Sequence, residues 1–211
     1  MTIFYTDSFN NGKGESRRLL AEAIAAYLGL AQKEKTEASE GNRAAASELV
    51  RNIRTGEQGK PFIEGFDPFS VSHTGSIWAV LIADRECGLD IQLEKNSRMQ
   101  PIANRIFDPK DAELVEAAFA ENNETGRKVF FQIWTRREAL VKAAGATVHE
   151  SSIAAVGSKD LTHVTAYDRE YTIWDIEIPG IEKLHAAVCV EGTVCSSEPI
   201  AYHTISSTKK D

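Results

Sequence analysis

Apolar residues recur at helical spacing from Ser16 to about Leu30, with Leu20, Ile24 and Leu28 on one stripe and Gly29 as the expected stop. A polar stretch from Gln32 to Asn42 follows, then a second helix is expected from about Arg43 to Arg54. Beyond the loop Thr55-Gly56-Glu57-Gln58-Gly59 the period changes. Phe69-Ser70-Val71-Ser72 alternates apolar with polar, and Thr74-Gly75 reads as a turn. Ser76 to Ala83 is a nearly continuous apolar run, which predicts a buried strand. Cys87 to Leu93 alternates again, with Leu89, Ile91 and Leu93 on one face and Asp90 and Gln92 on the other. The short link Asp84-Arg85-Glu86 predicts that these two strands form an antiparallel hairpin.

Helical patterning returns at Pro101–Phe107 and at about Lys110–Ala120, with Leu114, Ala117 and Ala118 expected on the inner side of the latter. Glu121 to Gly126 reads as a loop, and a long helix is expected from about Arg127 to Ala144, ended by Gly145. Four strands close the chain at about Leu161–Tyr167, Tyr171–Ile178, Leu184–Val190 and Ile200–Ile205. The order predicts an α+β fold of two similar lobes, residues 1–96 and 97–211. Each lobe is expected to pack a helix on a small antiparallel sheet, with a pseudo-two-fold relation between them.

Composition narrows the function classes. The chain has 211 residues, enough for one large domain or two lobes. No window reaches the roughly 18 consecutive apolar residues of a membrane span. The N-terminus lacks a basic head followed by an apolar run, so no signal peptide is expected. Cys87, Cys189 and Cys195 are odd in number and widely spaced, which points away from a disulfide framework or structural zinc and toward a reducing cytoplasm. A formal net charge of −7 does not suggest nucleic-acid binding. The cation pairs Arg17-Arg18, Arg127-Lys128 and Arg136-Arg137 are expected on solvated surface.

The chemistry-bearing stretch is Trp134–Lys142. Glu138 and Lys142 stand four apart, on one helix face. That spacing serves an ordinary surface ion pair, or a platform for a metal ion and a phosphate. Asp90 on an apolar strand is costly to bury unless it is paired or binds a cation. Together with Glu138 it forms a possible Mg²⁺ site, since that ion takes one or two carboxylates and completes its octahedron with water and phosphate oxygens. Lys142 and Arg137 could neutralise further phosphate charge. Ser72-His73 lies where a strand meets a turn, and His73 could contact a phosphate or cap that turn.

Four segments occur in order: Gly59-Lys60-Pro61-Phe62, Ser72-His73-Thr74-Gly75, Gly88-Leu89-Asp90-Ile91-Gln92, and the Trp134–Lys142 helix. Together they resemble the 4′-phosphopantetheinyl transferases, in the larger two-lobed surfactin-type branch. The resemblance covers roughly residues 59–145 and extends to the Leu184–Cys189 strand, while the first 55 residues match only loosely. It implies transfer of the phosphopantetheine arm of coenzyme A to a serine of an apo acyl or peptidyl carrier protein, with Mg²⁺, releasing 3′,5′-ADP. By position, Asp90, Gln92 and Glu138 would hold the metal. Glu138 would accept the serine proton, directly or through water. Lys142 would hold phosphate and offset leaving-group charge. Lys60, Ser72 and His73 would contact coenzyme A, with Arg17 or Arg18 assigned to the 3′-phosphate. Carrier recognition is expected at about residues 97–128, and two lobes in one chain suit a monomer.

Two departures stand out. Gln92 occupies a position where the family offers a second carboxylate, so a weaker or more hydrated metal site is expected. Arg137 replaces the usual Lys before the glutamate, keeping the charge and changing its geometry. The alternative readings are a non-catalytic coenzyme A or carrier-protein binding module with a weakened metal site, and a metal-dependent phosphodiester hydrolase, for which the chain has few ligands.

Overall fold

The computed structural model describes residues 1–211 except 32–38, 96, 147–153, 158–160, 195–197 and 207–211. Cys195, and Asn96 at the expected lobe boundary, lie outside the described residues. The elements in chain order are β1 (Thr2–Thr6), α1 (Glu15–Ala31), α2 (Glu40–Arg51), β2 (Arg54–Thr55), β3 (Pro61–Phe62), β4 (Phe69–Thr74), β5 (Ile77–Ile82), β6 (Cys87–Leu93), α3 (Met99–Ile106), α4 (Pro109–Glu121), α5 (Asn123–Ala144), β7 (Leu161–Ala166), β8 (Arg169–Asp175), β9 (Leu184–Glu191) and β10 (Ala201–Thr204). The class is α+β, as expected.

Two four-stranded sheets stack between two helical layers. The first has the order β10-β1-β5-β4 and the second β6-β9-β8-β7. Alternation decides what each strand face meets. Trp78, Val80 and Ile82 of β5 pack with Leu19, Ile24 and Val50 of α1 and α2. Ala79 and Leu81 point the other way and pack with Leu89 and Ile91 of β6 and Val188 and Val190 of β9. The far face of the second sheet (Ile173, Ala187, Cys189) meets Phe131, Leu140 and Ala143 of α5. Among the described residues, no helix is long and apolar enough to cross a membrane.

The expected β5–β6 hairpin does not form. β5 pairs with β1 on one edge and β4 on the other, so it has no edge left, and β6 pairs with β9. A run buried on both faces specifies a central strand but not its partners. The outer edge of β6 is covered by side chains. Leu89, Ile91 and Leu93 donate their N–H groups to the hydroxyls of Ser70 (2.9 Å), Ser72 (3.2 Å) and Thr74 (3.2 Å) on β4. This hydroxyl row joins the two sheets and satisfies an edge that would otherwise lie open.

Other expectations shift for local reasons. Gly29 does not stop α1, which runs to Ala31. The expected 121–126 loop shrinks to Asn122, whose side chain accepts from the Thr125 N–H (2.8 Å) and caps α5. Gly126 lies inside α5, at a point where the Phe119 ring occupies the space a Cβ would need. Of the expected inner residues of α4, Ala118 is buried, whereas Leu114 is 40% exposed and Ala117 is exposed; Asp111, Ala112 and Val115 complete the inner side. Arg136 and Arg137 are not surface cations: both are buried.

Candidate active site

Gly88 controls how closely β6 and α5 approach. A Cβ there would lie 1.9 Å from the Ala139 carbonyl oxygen and 2.6 Å from the Ala143 nitrogen, so only glycine permits this contact. One step along the same strand face stands Asp90. One helical turn of α5 around Ala139 carries Glu138 and Lys142. The close approach thus brings an acid from the strand to an acid and a base from the helix.

Lys142 donates to the Asp90 carboxylate (2.6 Å), to the Leu89 carbonyl (3.1 Å) and to Ser72 Oγ (3.1 Å). Ser72 in turn donates to the same Asp90 oxygen (2.9 Å). Its hydroxyl therefore accepts from Ile91 and Lys142 and donates to Asp90, and holds that carboxylate in place. Glu138 is partly buried. Its carboxyl is pushed above the usual glutamate range, first by burial and then by the negative charge of Asp90, with Lys142 and Arg137 opposing. Two acids that repel one another beside a single ammonium make a site with an uncompensated demand for positive charge.

Among the described residues, no group of three His, Cys, Asp or Glu side chains is placed to hold a metal. A third donor would come from Gln92, two positions past Asp90 on the same strand face. Its amide nitrogen donates to Thr74 Oγ1 (3.3 Å) and to the Leu93 carbonyl (2.9 Å).

The remaining expected site residues lie apart from this cluster. Lys60 donates to Glu86 (2.5 Å) and to the carbonyls of Cys87 (3.1 Å) and Ala143 (3.0 Å). His73 is exposed on the opposite face of β4 from Ser72, with its ring 5.2 Å from that of Phe9. Arg18 pairs with Glu15 on its own helix (2.9 Å). Arg17 is exposed and lines a cavity of about 450 Å³ with Phe9, Asn11, Ser16 and Pro61. Arg137 is 6% exposed and lies over the Phe107 ring, 5.5 Å from its centroid, and burial lowers its pKa. Pattern reading missed Ser70 and Thr74, although the Ser-x-Ser-x-Thr alternation of β4 carries the signal. It also missed Glu86 and Asp111, whose roles depend on distant backbone.

A family model described as the 4′-phosphopantetheinyl transferase superfamily matches residues 86–189. The 4′-phosphopantetheinyl transferase AcpT of Salmonella typhi is 37% identical over 94 residues, covering 43% of this chain and 47% of the relative. The 4′-phosphopantetheinyl transferase HetI of a Nostoc species is 30% identical over 146 residues, covering 64% of this chain and 58% of the relative. The 4′-phosphopantetheinyl transferase gsp of Aneurinibacillus migulanus is 28% identical over 93 residues, covering 44% and 38% respectively. The chain spans about half the length of the curated relatives it matches, as the 47% coverage of AcpT illustrates.

Proposed function

From the match of residues 86–189 to the 4′-phosphopantetheinyl transferase superfamily, we propose that the chain belongs to this family and moves the phosphopantetheine arm of coenzyme A onto a serine of an apo carrier protein. The observation that carries this reading is the meeting of Asp90 and Glu138 beside Lys142, with Glu138 held above its usual pKa by burial and by Asp90.

The donor set fits a hard divalent cation. Two carboxylates repel one another, and an ammonium already lies against one of them. Asp90 and Glu138 would hold Mg²⁺, with the Gln92 amide oxygen as a neutral third donor. When bound, the ion neutralises pyrophosphate charge. The chain's own groups carry the remaining work. The serine oxygen attacks the phosphorus next to pantetheine, and the bond from that phosphorus to the bridging pyrophosphate oxygen breaks. The serine proton passes to Glu138, directly or through a water, and 3′,5′-ADP leaves. Lys142 offsets the charge that develops on the departing phosphate. The exposed Arg17, beside the 450 Å³ cavity, is assigned with Arg18 and His73 to the nucleotide end of coenzyme A.

Both carboxylates come from one chain, which supports a monomeric catalyst. The test is to incubate the protein with coenzyme A, Mg²⁺ and a panel of apo carrier proteins. A mass gain of one phosphopantetheine arm on a carrier supports transfer. Coenzyme A binding without any mass gain favours the non-catalytic module, which Gln92 would explain.

A further inference from the structure

Lys60 sits in the Gly-Lys-Pro segment, where resemblance alone assigns it to coenzyme A. Its surroundings give it different work. An ammonium has three protons to donate. Here they go to the Glu86 carboxylate at 2.5 Å, the Cys87 carbonyl at 3.1 Å and the Ala143 carbonyl at 3.0 Å. The side chain is 17% exposed, and its methylene stem lies beside Gly145, the left-handed residue that ends α5. Cys87 opens β6 and Ala143 belongs to the last turn of α5. A cation at that turn also meets the negative end of the helix dipole.

The two carbonyls flank the point where β6 and α5 come closest. Gly88 follows Cys87, and a Cβ on it would strike the backbone of Ala139 and Ala143. Lys60 therefore ties strand and helix together at the end of the contact that sets the distance from Asp90 to Glu138 and Lys142. We propose that Lys60 is a positioning residue: it seats α5 against β6 and so fixes the spacing of the acidic pair, rather than holding a phosphate. The kinetic part of this inference rests on the transferase reading; the structural part does not.

Three variants of the full chain separate the roles: Lys60→Met, Lys60→Arg and Glu86→Gln. Glu86 lies outside the acidic cluster and is partly exposed. Lys60→Met is expected to lower kcat by about tenfold, as a small misplacement of reacting groups does. Its KM and calorimetric Kd for coenzyme A should stay within about twofold. Amide exchange at Ala143–Gly145 should quicken by about tenfold as the clamp opens. Glu86→Gln should move kcat and exchange in the same direction by less, and Lys60→Arg should restore part of both. If Lys60 instead bound phosphate, Lys60→Met would weaken coenzyme A binding with exchange unchanged, and Glu86→Gln, by freeing the ammonium, would tighten it. Either result overturns the proposal, as does unchanged exchange in both Lys60→Met and Glu86→Gln. A wild-type protein that neither binds nor transfers coenzyme A would sink the transferase reading, and the exchange comparison would still decide the clamp.

Discussion

Helix α5 carries two ionic clusters within two turns of one another, and they are built in opposite ways. Around Arg136 each guanidinium nitrogen has a partner. Its Nε and Nη2 hold both oxygens of Asp175 at 2.7 and 2.8 Å, and Nη1 donates to the carbonyls of Val156 and Gly157. Asp111 accepts from the N–H groups of those same two residues, both at 2.9 Å. An acid from α4 and a base from α5 thus grip one short piece of backbone from both sides. Around Glu138 the matching stops. The ammonium of Lys142 donates to Asp90, Leu89 and Ser72, and Glu138, raised first by its burial and then by Asp90, holds its proton more tightly than an ordinary glutamate. Saturated charge fixes a fold, because breaking it leaves a buried ion unpaired. Unsaturated charge is costly to stability and marks where a cationic or proton-giving partner belongs.

Substitutions should split cleanly along that line. The largest effect is expected from Glu138→Gln, which should cut carrier modification by about 10²–10⁴-fold, the usual loss of a general base. Its melting temperature at neutral pH should hold or rise, since a repelled charge is removed. A variant retaining near-wild-type turnover in a mass-shift assay would remove Glu138 from the chemistry. Arg136→Met should do the reverse. The change strips hydrogen bonds from Asp175, which is 34% exposed, and from two carbonyls, and should cost about 1.5–3 kcal/mol, read as a lower denaturant midpoint. Were its midpoint unchanged, the saturated cluster would not be structural. Gly88→Ala tests the contact that makes the unsaturated cluster possible. Forcing a methyl against the α5 backbone should cost about 1–3 kcal/mol and also lower turnover. Loss of stability alone would mean that the helix shifts without disturbing the site.

The smallest effect is a dependence on pH. The Glu138 pKa is raised in the folded state, chiefly by burial and then by Asp90. Such a group favours the fold while protonated and loses that contribution as pH rises through its folded pKa. In metal-free protein, the stability gained by Glu138→Gln at neutral pH should therefore shrink as pH falls toward the ordinary glutamate range. A stability difference that stays constant across that range would show that Glu138 is not under strain.

What could be read from the sequence followed periodicity. The faces of β6, with Leu89 and Ile91 inward and Asp90 and Gln92 together on the other side, follow from alternation alone. The end of α5 at Gly145 follows from glycine's access to the left-handed region. Leu114 shows the limit. The alternation of helix and loop was legible, but the helix phase depended on the burial of Asp111, whose partners Val156 and Gly157 lie far along the chain. The surface expectation for Arg136 failed for the same reason, since Asp175 is equally distant in sequence.

By itself the sequence determined most of the helices and strands, though not β1, which side chains of β6 share a face, and which four motifs carry the resemblance to the transferases. These are local properties, set by the period of the backbone and by residue type. Only the tertiary structure decided that β5 and β6 enter different sheets, that the hydroxyls of β4 close the edge of β6, and that Lys142 reaches across to Asp90. The reason is that partner choice depends on which edges and charges remain unsatisfied after the rest of the chain has packed, and no local pattern records that.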